Sequence, residues 1–95
     1  MINIENKILE FIHRRFPTDC MWKTGNCFFF AVIMKEKYKC SIIYYDVVDG
    51  HFCVKIGNNY YDWEGIYYPT APIEWDKFDD YDPLLKQRII RDCIN

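Results

Sequence analysis

Seven apolar residues in a row, Phe28-Phe29-Phe30-Ala31-Val32-Ile33-Met34, follow Asn26-Cys27 and precede Lys35-Glu36-Lys37. Asn26 is a good helix cap, and the run predicts a helix over about 27–38. Its surface is apolar nearly all round, and a helix of that kind is a buried one. A chain of 95 residues makes one domain of modest core, so the expectation is a single domain over 1–95. Eight Tyr, seven Phe and three Trp supply the large side chains that such a short chain needs to fill that core.

The rest of the chain reads as elements around this helix. Asn3 caps a first helix, about 4–15, with Ile8, Leu9, Ile12 and Phe16 on one stripe, and Pro17 ends it. Residues 40–45 form a strand by their β-branched and aromatic content. Residues 51–56 and 60–63 flank Gly57-Asn58-Asn59 as a β-hairpin, with Gly and Asn supplying positive φ angles. Ile66-Tyr67-Tyr68 adds a short edge strand. Residues 69–81 read as an irregular surface wrap, and Asp82-Pro83 starts a last helix over about 83–93. The class is therefore α+β: a buried helix with Cys at its N-terminus, packed on an antiparallel sheet of three to four strands and flanked by N- and C-terminal helices.

Several function classes are disfavoured. The net charge is −2, without the clustered basic face that nucleic acid requires. Charge is nonetheless uneven, with seven basic and four acidic residues before position 41 and five basic and ten acidic after it. No run approaches the length of a membrane helix, and the N-terminus has no basic segment followed by an apolar block. The expectation is a cytoplasmic protein whose five cysteines are reduced. Those cysteines and two histidines form no C-x-x-C pair and no H-x₃₋₅-H, so neither a metal site nor a cofactor is expected.

One set of residues has the makings of chemistry. Cys27 opens the buried helix, where free N–H groups and the helix dipole favour a thiolate. His51 opens a strand, whereas His13 sits beside Arg14 and Arg15 on a solvated helix face. A two-residue turn at Gly57-Asn58 would set Cys53 opposite Asp62 and bring His51 and Asp62 onto one face as diagonal neighbours. A three-residue turn would separate them. Asp46 and Asp49 are rival partners for the histidine. Phe52, Val54 and Ile56 look like the core side of the same strand, which leaves His51, Cys53 and Lys55 on the other.

Gly25-Asn26-Cys27-Phe28-x-x-Ala31, Gly50-His51-Phe52-x-Val54 and Tyr60-Tyr61-Asp62-x-x-Gly65 resemble the papain-like superfamily, with the transglutaminase-like branch nearest in motif order. The same Cys-His-Asp order is similar to that of small bacteriophage proteins. The resemblance covers about residues 20–66 and implies a compact papain-like fold. It makes Cys27 the nucleophile, His51 the general base and acid, and Asp62 the orienter of the imidazole. Gln87, in the last helix, is the sole Gln, so an oxyanion hole would use the Cys27 N–H with Asn26, Thr24 or the Trp22 indole, and Trp63 would line the substrate.

The expected function is a cysteine hydrolase or acyltransferase acting on an amide or related acyl bond of a peptide or protein, in the host cytoplasm if the protein is phage-encoded. The alternative is a non-catalytic protein that binds a host protein. Its contact surface would be the acidic, aromatic segment with Glu74, Trp75, Asp76, Asp79 and Asp80.

Overall fold

The computed structural model describes residues 4–16 and 27–91, the side chain of Cys27 excepted. Asn26, Thr24 and Trp22, the candidate oxyanion donors, lie outside the described residues. Helix α1 spans Ile4–Arg15 and helix α2 spans Cys27–Lys37. They are followed by strands β1 (Ile42–Asp46), β2 (His51–Ile56), β3 (Asn59–Asp62), β4 (Gly65–Tyr67) and β5 (Pro72–Glu74). A 3-10 turn at Trp75–Lys77 leads into the short helix α3 (Phe78–Tyr81) and then α4 (Pro83–Ile89). Four helices and a five-stranded antiparallel sheet thus make an α+β domain.

Each boundary has a local cause. Ile8, Ile12 and Phe16 are buried at helical spacing, and the Phe16 ring meets Phe30 of α2 edge-on, with centroids 4.7 Å apart. The Asp82 carboxylate accepts the Leu85 N–H at 3.0 Å, with Pro83 in the first turn: the capped start expected of α4. At the β2–β3 turn Gly57 has φ +63° and Asn58 has no positive φ, so glycine alone supplies the left-handed residue. Val54 pairs with Tyr61, Lys55 with Tyr60 and Ile56 with Asn59, which is the register of a two-residue turn.

Two expectations need correction. Residues 69–81 are not an irregular wrap. Pro72–Glu74 is a fifth strand beside β1, and the two turns after it bury Trp75 and Phe78. Three residues, the first of them a proline, carry too short a pattern to register as a strand. Helix α2 is also not buried all round: Phe30, Ala31 and Met34 are fully buried, while Phe29 is 53% exposed.

The strand order is β4-β3-β2-β1-β5, so the two edge strands are consecutive in the chain and joined by residues 68–71 alone. Five flat strands measure about 19 Å across. The five residue steps from Tyr67 to Pro72 reach at most about 18 Å, before any offset along the strands. The sheet must therefore roll until its edges approach each other. One face carries Phe52, Val54 and Tyr61 against the helices, with Phe28 of α2 on Phe52 at 5.0 Å between centroids. The other face is concave and carries Tyr44, Cys53 and Tyr60. Rolling explains why Cys53, on the face opposite the helices, is completely buried. Tyr44 and Tyr60 meet across it at 5.3 Å.

Candidate functional site

The register that follows from the Gly57-Asn58 turn brings His51 and Asp62 together. The His51 Nε2 atom lies 3.8 Å from Asp62 Oδ2, an ion-pair distance longer than a hydrogen bond. Nε2 is buried and has no hydrogen-bond partner. The Asp62 carboxylate is itself held, because Oδ1 accepts the Glu64 N–H at 2.8 Å and so Oδ2 is the oxygen facing the imidazole. Burial raises the Asp62 carboxyl above its usual range, and the Glu64 N–H, the His51 charge and the Gly65 N–H offset only part of this.

The His51 ring is gripped from two sides. Tyr67 lies 4.5 Å away and Trp63 5.3 Å away, centroid to centroid. Trp63 belongs to the apolar core, Tyr67 comes from strand β4, and His51 is the first residue of β2. Tyr67 is anchored in turn, its hydroxyl lying 2.7 Å from Asp46 Oδ2 and 2.6 Å from Asp49 Oδ2.

Asp46 is a structural residue. It is completely buried, and its Oδ2 also accepts the Thr70 N–H at 2.8 Å. Its Oδ1 accepts from Val48 at 3.0 Å and from Asp49 and Ala71, both at 3.3 Å. Burial would raise its pKa, but the bonds from Tyr67, Thr70, Val48 and Asp49 outweigh that and hold it at about 2. With both oxygens engaged, it ties the β1–β2 turn to the β4–β5 connector and has none left for His51. Asp49, the other rival, bonds Tyr67 and not the histidine.

A cavity of about 450 Å³ opens beside the pair, lined by His51, Asp62, Trp63, Tyr67, Asp49 and Glu64, with Gly50 at its edge. Sequence reasoning missed Tyr67 and Glu64 in this site. Tyr67 looked like an edge-strand residue, and only the roll of the sheet brings it across to β1 and β2.

Cys27 is the first residue of α2, and its neighbour Phe28 packs on Phe52, the residue after His51. The head of α2 is thus close to the start of β2. Strand alternation directs Phe52 towards α2 and His51 towards the concave side.

Among the other candidates, Trp63 lines the cavity and is 8% exposed. Trp75 is buried against Tyr45, Phe52 and Phe78 and is unavailable as a surface anchor. Asp76, Asp79 and Asp80 are exposed; Asp79 pairs with Lys86 at 3.2 Å and Glu74 with Lys77 at 3.7 Å. Among the described residues no group of three or more His, Cys, Asp or Glu side chains is placed to hold a metal ion, and no helix is long and apolar enough to cross a membrane.

Fold and site together define a small α+β protein with a His–Asp pair at the mouth of a rolled sheet. The chain belongs to the Phage YunG-like family, whose model matches residues 4–90. No curated protein and no solved structure matches it.

Proposed function

We propose that this chain is a small papain-like cysteine hydrolase or acyltransferase acting on an amide or related acyl bond. The observation that carries the reading is the His51–Asp62 pair at 3.8 Å, opening on a cavity beside the strand end that the head of α2 approaches. Asp62 faces Nε2, which leaves Nδ1 as the nitrogen to serve a thiol. The ring contacts core Trp63 on one side and Tyr67 on the other, and its strand neighbour Phe52 packs on Phe28, the residue after Cys27; the reading requires the imidazole to turn about the end of β2 to meet the thiol.

In this reading His51 takes the proton from the Cys27 thiol, and the thiolate attacks the carbonyl carbon of the substrate. The protonated imidazole then gives its proton to the departing amine as the tetrahedral intermediate collapses to a thioester. Water or a second amine, deprotonated by His51, attacks the thioester and regenerates the thiol. Asp62 touches no substrate; it orients the imidazole.

The test is alkylation of the native protein by iodoacetamide across pH 5–9, with the modified cysteines mapped by mass spectrometry. Cys27 should react faster than exposed Cys40 at pH 6, and His51→Ala should remove that advantage. Equal rates at Cys27 and Cys40 throughout would end the proposal.

A further inference from the structure

We propose that the groove between α1 and the end of α2 is a docking site for a second copy of this chain, which offers it the acidic aromatic segment of residues 76–84. The association is head to tail and independent of the site at His51.

The groove is a cavity of about 390 Å³. Phe11 and Tyr38, both half-buried, supply its aromatic surface, their rings packed edge-on with centroids 6.0 Å apart. Lys7, Arg14 and Lys37 border it, and Glu10 is the single carboxylate in its lining. The Arg14 guanidinium and the Lys37 ammonium are held on Phe11, 5.9 and 5.4 Å from the ring centre. Among the described residues none of the three cations pairs with a carboxylate, the ion pairs of lysine being Lys39–Glu36, Lys77–Glu74 and Lys86–Asp79. Cations positioned beside aromatic surface with their charge unmatched suit a ligand that carries carboxylates around apolar side chains.

The chain itself presents that ligand. Asp76 and Asp80 are exposed and make no ion pair among the described residues, while Lys77, the single cation of residues 76–84, is taken by Glu74. Beside them Tyr81 is 53% exposed and Leu84 77%, and Ile4 of the groove is exposed as well. Acid therefore faces base, and uncovered apolar surface faces its like. The same complementarity runs along the sequence, which is basic before position 41 and acidic after it. Groove and segment are different surfaces, so a copy that receives one neighbour still offers its segment to another, and association grows as an open chain. A small, polar contact of this kind is weak, with a Kd of about 0.1–1 mM.

The experiment is sedimentation equilibrium of the full-length protein. The average mass of the wild type should rise with concentration up to about 1 mM in about 20 mM salt and return to that of one chain in about 500 mM salt. Arg14→Glu/Lys37→Glu reverses the groove and Asp76→Lys/Asp80→Lys reverses the segment, so each sets like charges against each other between identical copies. Each should associate at least about tenfold more weakly than wild type. An equimolar mixture of the two should recover association, because the reversed segment of one meets the reversed groove of the other and their unaltered surfaces match as before. All four side chains are exposed, and the milder pairs Arg14→Gln/Lys37→Gln and Asp76→Asn/Asp80→Asn, which leave the fold least disturbed, should weaken association about threefold. A wild type that keeps the mass of one chain throughout, association indifferent to salt, a reversed variant that associates as well as wild type, or a mixture no heavier than its components would each overturn the proposal.

Discussion

His51 and Asp62 face each other at 3.8 Å because Gly57 permits a two-residue turn, and that turn sets the register of β2 on β3. A slip of one residue would send Asp62 to the helix side of the sheet and leave the imidazole without its carboxylate. The pair is therefore as dependent on the turn as on its own side chains.

Asp46 should make the fold acid-sensitive. Its folded pKa of about 2 lies below the ordinary 3.8, so its stabilisation is complete above the ordinary value and lost as pH falls through 4 towards 2. The linkage amounts to about 2 kcal/mol. Asp46→Asn keeps one acceptor oxygen and should cost about 2–4 kcal/mol at pH 7, because buried donors lose their partners. Urea midpoints at pH 7 and pH 3 for both proteins check this; the variant should lack the acid-dependent loss.

Tyr67→Phe keeps the ring against His51 and removes the hydroxyl that reaches Asp46 and Asp49. Hydrogen bonds to carboxylates of this kind contribute about 1.5–3 kcal/mol. The urea midpoint should fall accordingly. Burial, then the bonds to the two carboxylates, push the Tyr67 phenol far up. Alkaline titration followed at 295 nm should therefore find one fewer tyrosine ionising in the wild type than in unfolded chain.

Much of this was legible from local pattern. The stripe of Ile8, Ile12 and Phe16 identifies α1, the Asp82-Pro83 pair marks the start of α4, and Gly57-Asn58 specifies the hairpin register that joins His51 to Asp62. The roll of the sheet was not legible. It follows from a four-residue connector between strands at opposite edges, a long-range fact with no local signature. Hence the burial of the strand face that carries Cys53 has no local sign, and neither has the role of Asp46, whose partners Tyr67, Thr70 and Ala71 lie 21–25 positions away. In the acidic aromatic segment Trp75 and Phe78 fill the core, while Asp76, Asp79 and Asp80 stay exposed.

Cys53 should be inert in the native state. Burial, followed by the charges of Asp46 and Asp62, pushes its thiol up to about 12. Iodoacetamide at pH 8 should modify exposed Cys40 and spare Cys53 until denaturant is added, as peptide mapping would show.

Gly65 and Gly57 should differ when changed to alanine. Gly65 has φ +127°, and an added Cβ would come 3.3 Å from the Leu9 side chain of α1. Gly57 has φ +63° with open space around it. Gly57→Ala should cost about 1 kcal/mol of backbone strain, whereas Gly65→Ala should cost about 2–3 kcal/mol and shift the Glu64 N–H that holds Asp62. Thermal melts of the two variants check the order.

The most direct measurement of the central proposal is the ionisation of Cys27 itself. Thiolate absorbance at 240 nm, taken as wild type minus Cys27→Ser from pH 4 to 9, isolates that residue. An activated nucleophile predicts a midpoint below about 7, moved upward by His51→Ala and, to a smaller extent, by Asp62→Asn. A midpoint at or above about 8.5, unmoved by either substitution, would contradict the account.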